Sequence, residues 1–141
     1  MTSANLDNLA RIGQLKAEPA SQAEFDGLLR SGRARLIDAR NASLSLESRF
    51  DLAYNASHSL ALAALRWHGH RSENRYMVFQ VMEQTTGLGP EVWRVFSLAH
   101  NRRNLAEYEG HVDVEERLVA DLIEASESLL AKVESLGPVK P

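Results

Sequence analysis

Apolar residues recur at steps of three and four along most of the chain, a spacing typical of amphipathic helices. The longest stripe predicts a helix over about 46–67 and comprises Leu46, Phe50, Ala53, Tyr54, Ser57, Leu60, Ala61, Ala64 and Leu65. Shorter patterns predict helices over about 22–40, 73–85, 90–108 and 113–136. Runs of β-branched residues are nearly absent, and helix-forming residues dominate the composition. We therefore predict an all-α fold, an antiparallel bundle of four to five helices.

Breaks in this pattern divide the chain into three parts. Residues 1–20 are predicted to form an N-terminal arm with a short helix, residues 21–137 the helical bundle, and residues 138–141 a tail. Ser21 and Glu24 have the spacing of a capping box, which Asp113 and Glu116 repeat before the last helix. The first bundle helix is expected to break near Gly32. Its predicted inward side chains are Phe25, Leu28, Leu29, Leu36 and Ile37.

The composition adds limits on the class of protein. A chain of 141 residues, 44% of them apolar, predicts one domain with a substantial core. The absence of cysteine excludes disulfides, thiolate metal sites and a cysteine nucleophile, and favours a cytoplasmic protein. No apolar run approaches membrane-helix length, and the N-terminus lacks the pattern of a signal peptide. We expect no membrane partner and no cofactor.

The charge is unevenly distributed, although its sum is only −3. Residues 30–103 hold eleven arginines, no lysine and six acids, whereas residues 104–141 hold nine acids and three basic residues. Arginine suits two-pronged phosphate contacts, so the basic region is compatible with nucleic-acid binding. Alternatively, the two regions pair with each other in the fold. A smaller group, Arg66, Arg71 and Arg75, is either a phosphate-contact patch or a set of solvated turn residues.

The fourth predicted helix contains the stretch HNRRNLAEYEG, residues 100–110, which is rich in reactive side chains. A helical wheel predicts that its core face consists of Val95, Leu98, Ala99, Leu105 and Ala106. The opposite side collects Trp93, Phe96, His100, Arg103, Asn104 and Glu107, together with His111 if the helix continues. Because Trp93 and Phe96 are large and apolar, this side is predicted to face another helix or a second subunit.

Arg102 is unusual because it falls in the middle of the predicted core face. Either it pairs with a buried acid or the helix is distorted there. Arg103 and Glu107 are four residues apart and could form an intrahelical ion pair. The five histidines have no regular ligand spacing with carboxylates, so we expect no metal site.

Two stretches, residues 51–71 and 100–110, give the chain a resemblance to HEPN domains over roughly residues 22–136. The resemblance implies a helical homodimer. In catalytic members of the family, two signature helices meet across the dimer and form a metal-independent RNA-cleaving site. Each signature helix carries an arginine, a polar residue that is often asparagine, and a histidine after four to six intervening positions. Arg103 and Asn104 match the first two positions.

The chain departs from the family at the histidine of this Arg-x4-His motif. Tyr108 stands after four intervening residues, and His111 lies beyond Gly110. Histidine titrates near neutral pH and can transfer protons to and from RNA, whereas tyrosine, with a pKa near 10, is a poor base. In some family members a nucleotidyltransferase-type partner modifies a tyrosine, and Tyr108 is the counterpart here, within an altered motif.

Three functions follow as hypotheses. The first is a homodimeric module that binds RNA, a nucleotide or a protein partner, with ribonuclease activity lost or weakened. The second is a metal-independent ribonuclease of toxin-antitoxin type that uses Arg103, Asn104 and either His100 or His111. The third is a structural helical subunit. The candidate catalytic residues are His100, Arg103 and Asn104, the candidate dimer contacts are Trp93 and Phe96, and the candidate ligand-binding residues are Arg102, Arg103, Glu107, Tyr108 and His111.

Overall fold

The computed structural model describes residues 2–111 and 114–140, with side chains from Ala4 onward. The all-α prediction is confirmed: four helices of 18 to 22 residues form the bundle, accompanied by three short helices and a pair of two-residue strands. In chain order the elements are α1 (Thr2–Arg11), β1 (Lys16–Ala17), α2 (Gln22–Ala39), α3 (Leu46–Trp67), β2 (His70–Arg71), α4 (Arg75–Gln80), α5 (Met82–Thr86), α6 (Pro90–Glu109) and α7 (Glu116–Glu134).

Helix α3 is the centre of the bundle, because it contacts α2, α4, α5, α6 and α7. The apolar stripe predicted for it is confirmed: all of its residues are buried except Leu46, which is half-buried. Ser45 caps the helix by accepting a hydrogen bond from the Ser48 amide, at 3.1 Å. The helix ends at Trp67, before Gly69, whose φ of 83° favours glycine.

Helices α2 and α3 run antiparallel along their length. Gly32 of α2 lies against Leu60 of α3, and further along Arg49 Nε donates to the Ala39 carbonyl at the end of α2, at 2.8 Å. The expected break near Gly32 is wrong: α2 continues through this glycine, which is buried against Leu60 of α3. Ile37 is 56% exposed and does not point inward as predicted.

Helix α7 packs against both α2 and α3. Arg33 Nη2 lies 2.8 Å from Glu134 Oε2, and Arg40 Nε donates to Glu127 Oε2 at 2.6 Å. The basic middle and the acidic C-terminal region therefore do pair with each other at these two arginines. The predicted capping box before α7 begins at Asp113, which lies outside the described residues, and Glu115 occupies the N-cap position.

The N-terminal residues pack on the bundle. Strand β1 pairs antiparallel with β2, with Lys16 opposite Arg71, and Leu6 and Leu15 are buried, whereas Ile12 is 66% exposed. Pairing of two residues per strand leaves no hydrophobic periodicity in the sequence, so the sheet was not predicted.

Buried Arg66 fastens this N-terminal region to α3. Its guanidinium donates to Glu24 Oε1 at 2.7 Å and to the backbone carbonyls of Glu18, Pro19 and His70. Ser21 accepts from the Glu24 amide, which confirms the Ser21 cap, but the Glu24 carboxylate binds Arg66 and Arg71. Arg66 is therefore neither part of a phosphate-contact patch nor a solvated turn residue, because its side chain is 1% exposed.

The segment between α3 and α6 forms two short helices where one was predicted. Helix α4 starts after Asn74, whose side chain accepts from the Met77 amide, and α5 follows after Val81. Helix α6 begins at Pro90 and ends at Glu109, because Gly110 adopts a φ of 82°. Among the residues that the structure describes, no helix is both long and apolar enough to cross a membrane.

Candidate functional site

The face through which α6 packs matches its prediction only in part. Ala99 and Ala106 of the predicted core face are buried, and Phe96 is buried with them, whereas Leu98 and Leu105 are 47% and 49% exposed. The prediction that these two leucines belong to the core is therefore wrong. The polar side of the helix can face α3 because α3 supplies hydrogen-bonding and charged partners for His100 and Arg103.

Phe96 belongs to the core of this chain, not to its surface. Its ring stacks on that of Phe79, with centroids 5.4 Å apart, and it has no exposed area to offer a second subunit. Trp93, the other candidate dimer contact, is half-buried with its ring edge-on to Tyr76, at 6.4 Å. Aromatic contacts within the chain therefore account for the apolar residues on this side of α6.

His100 is held between α3 and the next turn of its own helix. Its Nδ1 shares a hydrogen bond of 3.0 Å with the Tyr54 hydroxyl, and its Nε2 lies 3.2 Å from Asn104 Nδ2. Partial burial, and secondarily the positive charge of Arg75, lower the pKa of His100 below its ordinary value of 6.5. The imidazole is therefore largely neutral at pH 7 and can accept a proton.

Arg103 pairs with Asp51 of α3, not with Glu107 of its own helix. Its Nε lies 3.5 Å from Asp51 Oδ1 and makes no hydrogen bond, although this atom is buried. A depression of about 300 Å³ opens beside the pair, and the exposed His111 also lines it. We call Asp51, Tyr54, His100, Arg103 and Asn104 the α3–α6 cluster.

The structure does not bring the other candidate residues into this cluster. Arg102 is half-buried on the side of Leu98 and Leu105, so it needs neither a buried acid nor a distorted helix. Tyr108 is 88% exposed and does not line the depression. Glu107 is exposed, and its charge acts to raise the pKa of Tyr54, which burial raises first.

Sequence analysis named Arg75 as a possible phosphate contact but did not place it, with Asn55 and His58, next to the cluster. Arg75 at the start of α4 donates from Nη1 to Asn55 Oδ1 at 3.1 Å, and its guanidinium carbon lies 5.6 Å from the centre of the Tyr54 ring. Burial, then Arg75 and His100, lower the pKa of His58 to about 4. The signal in the sequence was the three- and four-residue spacing of Asp51, Tyr54, Asn55 and His58 on α3.

Arg71, which the sequence grouped with Arg75, has a different role. Its Nε donates to Glu18 Oε2 at 3.0 Å, and its Nη2 contacts Glu24. These pairs hold the N-terminal segment and raise the pKa of Arg71, mainly through the hydrogen bond with Glu24. Within residues 2–111 and 114–140, no three histidine, aspartate or glutamate side chains lie close enough together to bind a metal ion.

Comparisons with family models, with curated proteins and with solved structures found no match to this chain. The resemblance to HEPN domains therefore stays a prediction from the sequence.

Proposed function

We propose that this chain is a HEPN-like helical module that binds RNA or a nucleotide at the α3–α6 cluster without cleaving it. One observation carries the proposal: His100, Arg103 and Asn104 of α6 meet Asp51 and Tyr54 of α3 at a partly exposed surface. The guanidinium of Arg103 and the amide of Asn104 supply donors that a phosphate group accepts from, whereas both ring nitrogens of His100 contact Tyr54 and Asn104.

Two arginines near the cluster can attract an anionic ligand, while the carboxylates of Glu47 and Asp51 also line the depression. Arg103 contacts Asp51 through Nε, whereas a two-pronged phosphate contact can use its terminal nitrogens. Arg75 adds a second guanidinium against Tyr54. The depression beside Arg103 is open to solvent, so it can admit a segment of a strand.

Binding without cleavage follows from the position of Tyr108. It occupies the place of the family histidine in the motif. Its side chain is exposed and does not line the depression. This exposure leaves its hydroxyl open to the nucleotidyltransferase-type partner that the resemblance implies.

We also propose that two copies associate through the outer side of α6. Leu98 and Leu105 lie two helical turns apart, and about half of each side chain is exposed. A dimer formed there leaves both α3–α6 clusters free for ligand and does not bring the two Arg103 side chains together, which again favours binding over cleavage.

Fluorescence anisotropy with a labelled short single-stranded RNA, at two salt concentrations, tests the main proposal. We expect Arg103→Ala to weaken binding about tenfold, because it removes one charged phosphate contact. Arg102→Ala is the matched control, since it removes the same charge from the adjacent position on the other side of α6, and should bind like the native chain. No binding by the native chain, or equal losses in both variants, would overturn the proposal.

A ribonuclease of toxin-antitoxin type is the second candidate, and the geometry of His100 favours it. This imidazole has a lowered pKa, shares a hydrogen bond with Tyr54 and lies three residues from Arg103. Incubating the same RNA with a chelator present separates the candidates: intact RNA supports the binding module, whereas cleavage lost in His100→Ala or His111→Ala supports the enzyme and identifies its histidine. A chain that neither binds nor cleaves RNA would be a structural subunit.

A further inference from the structure

Arg75 and Arg103 are anchored one helical turn apart on α3. Arg103 contacts Asp51, and Arg75 donates to Asn55, four residues further along the same helix. With a rise of 1.5 Å per residue, the two anchor points lie about 6 Å apart along the helix axis. The two guanidinium groups are therefore anchored on neighbouring turns of α3, close enough for one strand to reach both.

Arg75 is available to a ligand. Its side chain is exposed, and within the described residues no carboxylate lies at ion-pair distance from it. After burial, the charge of Arg75 is the next cause that lowers the pKa values of His58 and His100, and no carboxylate counteracts it at either ring. An anion bound at Arg75 would therefore be stabilised by a positive charge that the protein leaves unneutralised.

Partly exposed aromatic rings lie next to the two arginines in the sequence, with Tyr76 following Arg75 and His100 three residues before Arg103. Tyr76 packs 5.3 Å from the His100 ring and 6.4 Å from Trp93, measured between centroids, and all three side chains are half-buried. Proteins that bind single strands combine such rings, on which bases stack, with cations that follow the backbone.

We propose that Arg75 and Arg103 bind two successive phosphates of one RNA strand while a base stacks on Tyr76. This inference rests on the proposed function and narrows its ligand to an oligonucleotide, as opposed to a mononucleotide. The Asp51–Arg103 pair would position the first phosphate, and Asn55 would hold Arg75 for the second.

The experiment compares a labelled oligouridylate with uridine monophosphate as a competitor, over a series of salt concentrations. The native chain should bind the oligouridylate at least tenfold more tightly. Arg75→Ala should weaken binding about tenfold and reduce the salt slope by about 0.7, the value for one phosphate contact to a single strand. Arg75→Lys should restore the salt slope. Tyr76→Ala should weaken binding without changing the salt slope, because base stacking releases no counterion.

Arg30→Ala, at an exposed arginine of α2, is the control and should leave affinity and slope unchanged. If Arg103→Ala weakens binding while Arg75→Ala and Tyr76→Ala behave like the native chain, this inference fails and the proposed function stands. Equal affinity for uridine monophosphate and the oligouridylate also overturns it. A native chain that binds neither ligand overturns both. Thermal melts of each variant exclude loss of fold as the cause of weaker binding.

Discussion

At the scale of single residues, three partly buried histidines share one electrostatic property. The pKa values of His58, His68 and His100 are all lowered, in each case by burial first. Because the folded chain holds these imidazoles neutral, the unfolded chain takes up more protons as the pH falls. Their contribution to stability is therefore complete above the ordinary pKa of 6.5 and is lost as the pH falls towards the lowered values.

His58, whose pKa is about 4, should dominate this pH dependence. Between pH 7 and pH 5 we expect protonation of His58 in the unfolded chain to lower the free energy of unfolding by about 2 kcal/mol. His58→Gln should remove most of that decrease, measured as the difference between urea denaturation at the two pH values. His111→Gln, a change at an exposed histidine, serves as the control and should keep the native decrease. An unchanged pH dependence in His58→Gln would contradict the assignment.

At the scale of helices, α2 contains two glycines with opposite surroundings, and only Gly32 contacts α3. A Cβ atom at Gly32 would lie 2.7 Å from the buried Leu60 side chain, whereas at Gly27 the nearest atom would be 3.9 Å away, on Arg30. Both glycines lie within α2, so alanine would gain the same helix propensity at either position.

Gly32→Ala should therefore destabilise the protein by about 1 kcal/mol, because overpacking against Leu60 exceeds the gain in helix propensity. Gly27→Ala should stabilise it by about 0.5–1 kcal/mol. Chemical denaturation of the two variants measures both effects. Stabilisation by both substitutions would show that α2 and α3 can separate at this point without cost.

The helices differ in how far their sequence predicted them. For α3 the apolar stripe was sufficient to predict which residues are buried, because a central helix buries its apolar residues whichever helices surround it. For α6 the pattern was right at Ala99 and Ala106 and wrong at Leu98 and Leu105. The helix packs against α7, α4 and α3, and contacts between residues far apart in the sequence leave no periodic signal. The same reason explains why the sequence did not connect Arg75 or His58 with the cluster.

At the scale of the whole molecule, the folded chain leaves two leucines of α6 half exposed. It also pairs Arg33 and Arg40 of the basic region with glutamates of α7. Self-association through Leu98 and Leu105 follows as a prediction, because burial of exposed leucine side chains favours contact between copies. Leu98→Lys combined with Leu105→Lys should raise the dissociation constant of the dimer at least tenfold, measured by sedimentation. Ile37→Lys, at an exposed apolar residue of α2, should leave it unchanged. A monomeric native chain at high concentration would refute this interface.

Helix α3 serves two purposes, since one side of it forms the centre of the core and another carries Asp51 and Asn55. The arginines proposed to meet a ligand are therefore anchored to the central helix, and they are in place before any ligand arrives. Little ordering entropy would be lost on binding, and the free and occupied forms would differ mainly in side-chain rotamers. Preorganisation of this kind links the affinity for the ligand to the packing of the core. A substitution among the buried residues of α3 would therefore weaken ligand binding at the surface.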